Sequence, residues 1–172
     1  MSSIESTSVL AVNRGLEHPP AGVATPVSID RLEAFVGNWL TEGHTVHDGG
    51  RGARIVASDT YVWGPGRCCV IHYAHGIIGD AKVASVEIIG PGDDEDSFVS
   101  YLHDGGGNVT TSSLSHRDGD WVWQGTATRC TGEVDDEGNM YAYHERREAD
   151  GPWVPSIEVL IRRVAYGAPV RW

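Results

Sequence analysis

From Trp39 onward the chain alternates apolar and polar residues in short runs rich in Val, Ile, Thr, Tyr and Trp, at 39–47, 54–63, 67–77, 82–90, 97–103, 108–116, 121–131, 139–147 and 153–165. A period of two places successive side chains on opposite faces, so each run predicts a β-strand with one buried face. Between the runs stand turn clusters: Asp48-Gly49-Gly50, Gly64-Pro65-Gly66, Gly79-Asp80, Gly90-Pro91-Gly92-Asp93, Asp104 to Gly107, Asp118-Gly119-Asp120, Asp136 to Asn139 and Asp150-Gly151-Pro152. Each is short enough for a hairpin and too short for a crossover helix, so neighbouring strands should be antiparallel. A meander of about nine strands hides its two edges by closing on itself. The expected fold is therefore all-β, an antiparallel up-and-down barrel of roughly eight to ten strands. A two-sheet sandwich is second choice, because Greek-key topology wants longer connections.

One helix is expected ahead of the strands. Asp30 followed by Glu33 has the form of a capping box, with Ser28 as a competing N-cap. Leu32, Phe35 and Val36 form an apolar face, and Gly37 stops the helix after about two turns. Such a segment suits plugging a barrel end. Residues 1–27 are rich in Ser, Pro and Gly without periodicity and predict a flexible arm, leaving 28–172 as a single barrel domain.

Charge narrows the partners. The formal net charge is −11, which argues against phosphate-backbone binding and against docking on an anionic membrane. No apolar run reaches the roughly 20 residues a transmembrane helix needs, and the N-terminus lacks the basic and apolar regions of a signal peptide. Three cysteines, two of them adjacent (Cys68, Cys69), are not a disulfide framework. These features together predict a cytoplasmic protein.

Gly37-Asn38-Trp39 after the helix resembles the Gly-x-Trp that opens the first strand of lipocalins and related calycins. The stretches 59–66, 70–72, 86–90, 101–104, 129–132 with Asp136 and Gly138, and 153–164 together resemble a bacterial family of unknown function with a lipocalin-like barrel. The resemblance implies a barrel with a cavity. The haem-binding nitrobindins also open with Gly-x-Trp and carry a haem-ligating His in the closing strand. Here that strand, Trp153 to Arg163, has no His, which counts against haem, and no cofactor is expected.

Cys68-Cys69-x-x-His72-x-x-His75 has the look of a metal site. Strand alternation, however, puts Cys69 and His75 on one face and Cys68 and His72 on the other, so they cannot share one tetrahedral ion. No metal site is expected, and the adjacent thiols should pack as small apolar residues. The chemistry should rest on polar residues within apolar strands: His72 between Val70 and Ala74, Glu87 within Val86 to Ile89, Tyr101 with His103, and Arg129. If the resemblance sets the register, His72, Glu87, Tyr101 and Arg129 point inward, with Tyr61, Trp63 and Trp123 as aromatic walls. The first expectation is a binder of a small apolar or aromatic molecule, held against Tyr61, Trp63, His103, Trp123 and Arg129, with a homodimer left open. The alternative is a cofactor-independent cyclase, isomerase or hydratase using His72, Glu87 and Tyr101 as acid and base.

Overall fold

The structure, a computed structural model, describes residues 29–93 and 97–164. The arm expected over 1–27, and Ser28 as a cap, lie outside the described residues. Ten strands follow one another: β1 (Gly37–His47), β2 (Gly50–Trp63), β3 (Val70–Ile78), β4 (Ala81–Pro91), β5 (Ser97–Asp104), β6 (Val109–Arg117), β7 (Asp120–Gln124), β8 (Thr128–Val134), β9 (Met140–Arg146) and β10 (Val154–Val164). Each pairs antiparallel with its sequence neighbours, and β1 pairs with β10 to close a lipocalin-like barrel. The first hairpin turns at Asp48 (φ 49°) and Gly49 (φ 75°), the two positive-φ positions of a type I′ turn.

The strand expected over 121–131 is in fact two. The chain turns at 125–127, where Gly125 donates its N–H to the Thr128 carbonyl at 2.8 Å. Only Gly125 marks this turn, and the apolar pattern runs on across it. The break reverses the inward parity, from Trp121 and Trp123 before the turn to Cys130 and Gly132 after it.

The short helix expected ahead of the strands is present, wound more tightly than an α-helix. Ile29–Ala34 is a 3₁₀ helix, followed by the i→i−3 bonds Phe35 N to Leu32 O (3.0 Å) and Val36 N to Glu33 O (3.1 Å). Its carboxylates turn to a partner outside the helix. Arg67, between β2 and β3, reaches Asp30 at 3.4 Å and Glu33 at 2.9 Å, and Trp63 Nε1 donates to Glu33 at 3.0 Å. From the other side, Arg163 on β10 donates to the carbonyls of Val36 (2.6 Å) and Ala34 (2.7 Å). Two arginines thus fasten the segment over one barrel end. Leu32 and Phe35 are buried there, Phe35 against Trp121 with ring centroids 4.5 Å apart.

The interior has an apolar layer at each level. Leu32, Phe35, Trp39, Tyr61, Val70, Ile89, Phe98, Leu114, Trp121 and Met140 fill the plugged end. Ile55, Cys130, Ala142 and Val159 form a smaller cluster further along. The β1–β10 seam depends on a close approach at Gly43, opposite Val159. A Cβ on Gly43 would collide with the Glu158 carbonyl oxygen and lie 2.7 Å from Val159 Cα. Gly43→Ala is therefore expected to force the closing strands apart and cost about 1–3 kcal/mol, as overpacking does. Urea unfolding checks it, and an unchanged midpoint would show that the seam has slack. No helix among the described residues is long and apolar enough to cross a membrane.

Candidate functional site

The inward faces of β1 to β5 carry an unbroken polar chain. The Thr41 hydroxyl donates to Asp59 Oδ2 at 2.5 Å. His72 bridges two carboxylates, Nε2 to Asp59 Oδ1 at 2.9 Å and Nδ1 to Glu87 Oε2 at 3.0 Å. The Ser100 hydroxyl donates to the other Glu87 oxygen, Oε1. Strand register builds this chain. His72 and Glu87 are directly opposed, Asp59 is diagonal to His72 (Tyr61 being its direct partner), and Ser100 is diagonal to Glu87. One residue from each of five consecutive strands thus falls along a single band.

Asp59 is 7% exposed, His72 8% and Glu87 6%. Ionisable groups this deep are rarely found unpaired. Burial by itself would lower the His72 pKa, but the hydrogen bonds and charges of Asp59 and Glu87 outweigh it and raise the value to about 9. His72 is then an imidazolium at neutral pH, donating from both nitrogens. One cation between two carboxylates leaves the band with residual negative charge. Tyr61 lies flat on His72, rings 3.9 Å apart and 5° from parallel, a cation–π stack. Burial, then the nearby carboxylates, holds the Tyr61 phenol well above its usual pKa, so it stays neutral.

Across the barrel stands a second polar pair. Cys130 Sγ and His144 Nε2 are 3.5 Å apart, facing pair partners on β8 and β9. Burial, with Glu87 adding to it, lifts the Cys130 thiol to about 12, and burial lowers His144 despite the opposing pull of Glu87. A protonated thiol beside a neutral imidazole donates S–H to Nε2, which places the ring proton on Nδ1. Both groups feel the Glu87 charge, so the two walls form one electrostatic unit.

Beside Tyr61, at the plugged end, is a pocket of about 200 Å³ walled by Phe35, Trp39, Tyr61, Trp121, Met140 and Ile161. Its lining is apolar apart from the rim, where Arg163 stands.

Of the residues expected from sequence, the structure brings His72, Glu87, Tyr61 and Trp123 to the interior. Trp63 is half-buried at the plugged rim, bonded to Glu33 and covered by Arg67 at 4.1 Å. Tyr101, His103 and Arg129 are corrected to the outer surface. Tyr101 and His103 are one residue out of step with the buried Ser100, and Tyr101 is 45% exposed. Arg129 is turned out by the strand break at 125–127 and pairs with Glu145 at 2.5 Å, near Trp153. The metal-like spacing dissolves as well: His72 is inside, His75 outside, and the cysteines precede the strand. No group of three or more His, Cys, Asp or Glu side chains placed to hold a metal ion occurs among the described residues.

Sequence reasoning missed Thr41, Asp59, Ser100, Cys130 and His144. The signal for the first three was parity, since each lies two residues from an inward aromatic: Trp39, Tyr61 and Phe98.

No protein-family model matches the chain, and no curated protein matches it. Solved structures do. The crystal structure of Rv2717c from M. tuberculosis is similar over 82% of this chain and 100% of that one, with a TM-score of 0.64 and 9% sequence identity. The S-type phycobiliprotein lyase CPES from Guillardia theta is similar over 79% of this chain and 92% of that one, with a TM-score of 0.49 and 9% identity. At such identity the likeness to Rv2717c shows a shared fold, and the chemistry has to be argued from the residues here.

Proposed function

We propose that the barrel binds a small, apolar, single-ring molecule in the pocket at its plugged end, with Tyr61 as the fixed wall. The observation that carries this reading is the size and lining of the pocket. Its volume of about 200 Å³ is below the several hundred Å³ of a drug-sized site. It is comparable to the ~150 Å³ apolar cavity that takes up benzene in another protein. The buried chain behind Tyr61 supports the reading by holding that ring in one orientation on the His72 imidazolium.

Native mass spectrometry of the freshly purified full chain, followed by titration with 4-methylphenol, tests it. A retained small molecule, or saturable one-to-one binding of the probe, is expected. Tyr61→Ala should weaken the probe by at least about tenfold, roughly 1.4 kcal/mol, while Tyr101→Phe on the outer face should leave it unchanged. Absence of saturable binding, or equal binding by Tyr61→Ala, would refute the proposal.

A second reading, acid–base catalysis without a cofactor, is favoured by one specific feature. Two histidines on facing walls have pKa values displaced in opposite directions, His72 upward and His144 downward, around one carboxylate, Glu87. Environments that separate titratable groups in this way are what acid–base sites need. The test is exchange of the α-protons of cyclohexanone in D₂O, followed by NMR. Acceleration by the wild-type protein that disappears in Glu87→Gln, with 4-methylphenol still bound, supports catalysis. No acceleration leaves the binding reading alone.

A further inference from the structure

The connection from β2 to β3 contradicts the parity that sequence assigns to its cysteines. In an extended strand Cys68 and Cys69 would point to opposite faces. The strand begins only at Val70. Before it, Gly66 (φ 64°) and Arg67 (φ 57°) are left-handed in succession, and Cys68 is in the right-handed helical region (φ −80°, ψ −14°). This turn brings the two sulfurs to the same side, 3.9 Å apart. Cys68 is exposed and Cys69 half-buried, so neither packs as a core residue, whereas Cys130 is buried.

The same turn holds the plug. Arg67 stacks on Trp63 at 4.1 Å and pairs with Asp30 and Glu33 of the 3₁₀ helix. Cys69 is anchored on the strand side, its carbonyl accepting the Gly64 N–H at 2.8 Å and its sulfur packed over Gly64. Any rearrangement that draws the sulfurs together is therefore taken up at Cys68 and its neighbour Arg67.

We propose that Cys68 and Cys69 form a reversible vicinal dithiol–disulfide site, and that its oxidation by a small-molecule disulfide releases the hold of Arg67 on the barrel plug. The accessible Cys68 thiolate attacks one sulfur of the oxidant RSSR and expels RS⁻, leaving Cys68 joined to SR. The Cys69 thiol, its proton lost to solvent, then attacks the Cys68 sulfur and expels the second RS⁻. Two thiols become one disulfide, and RSSR becomes two RSH. Burial, then the adjacent Cys68 sulfur, holds the Cys69 thiol above its usual pKa, so it is protonated more of the time and ring closure is the step that quickens as pH rises. Adjacent Cα atoms are about 3.8 Å apart, less than the roughly 4.4–6.8 Å of unstrained disulfides. The ring is therefore strained and readily reduced, as switchable disulfides are.

The test is treatment of the full chain with oxidised glutathione, read by intact mass and by hydrogen exchange. The expected product has lost two hydrogens, retains no glutathione and reverts with dithiothreitol. In it the Phe35 and Val36 amides, which close the plug segment, exchange about tenfold faster, an opening change of roughly 1.4 kcal/mol. Cys69→Ser should trap glutathione on Cys68, and Cys130→Ser should still lose two hydrogens, since the disulfide does not involve Cys130. A stable glutathione adduct on the wild-type protein, or no reaction, overturns the dithiol site. Ring closure with unchanged exchange at Phe35 and Val36 overturns the link to the plug. Neither readout depends on what the pocket binds.

Discussion

Replacement of His72 by leucine is expected to cost the fold about 3–5 kcal/mol near pH 6, the usual consequence of removing one partner from a buried ionic network. The change removes a side chain of similar bulk, so the cavity left behind is minor. What remains is two carboxylates at 7% and 6% exposure, with the Thr41 and Ser100 hydroxyls as donors to them and no imidazolium between them. Like charges at this depth are relieved by protonating one of them. Combining the change with Asp59→Asn and Glu87→Gln removes both charges and should restore most of the lost stability, which a simple packing defect would not allow. Urea unfolding at about pH 6, where the imidazolium is intact, decides the matter. A penalty that the added amides do not relieve would mean that packing and not charge holds this wall together.

The band that makes this prediction was only half legible in the sequence. His72 and Glu87 stand out as polar residues in apolar runs, and the alternation that carries them also sets their face. Asp59 belongs to the same pattern, since Ile55, Asp59 and Tyr61 all fall on the inward face of β2. It is hidden because an aspartate in a strand reads as solvent-facing. Tyr101 and Arg129 failed for different reasons. Tyr101 is one residue from Ser100, and a serine gives hydropathy no means of telling the inner face from the outer. Arg129 was misplaced by a three-residue turn at 125–127 that carries almost no turn chemistry. The fold class tolerates such local errors, because the hairpin turns set an antiparallel meander whether nine strands are counted or ten, although only the even number closes with the antiparallel β1–β10 seam. A site does not, because a single missed turn exchanges inside for outside. Cys130 and His144 depended on contact between β8 and the second half of β9, and so on that same turn. The turn at Cys68 shows the converse: two left-handed residues undid a parity argument that is sound for a strand.

Between about pH 6.5 and 9 the wild-type protein is expected to lose about 3 kcal/mol of stability as the His72 imidazolium is discharged. An unfolded histidine titrates near 6.5, and in the barrel the value is raised to about 9. Across this interval the folded state holds a proton that the unfolded state has released, so stability falls with rising pH. The contribution is complete below about 6.5 and gone above about 9, with a maximum slope of about 1.4 kcal/mol per pH unit for one proton. Cys130 acts in the same direction further on. Its thiol is raised to about 12 from an unfolded value near 8.5, so its share is lost above that point. His144 has the opposite sign: its lowered pKa makes the folded state resist protonation, and its share is lost as pH falls below the unfolded value. The net charge of −11 adds a general repulsion that grows with pH, but exposed charges are screened by salt far more than a buried trio. Urea midpoints from about pH 6 to 8.5, repeated at about 0.1 and 0.5 M salt, separate the two. A decline that persists in high salt and disappears when His72→Leu is combined with Asp59→Asn and Glu87→Gln is the signature of the buried charged trio. A flat profile over that range would mean that His72 is neutral in the fold, and that the interior carries two carboxylates without a cation between them.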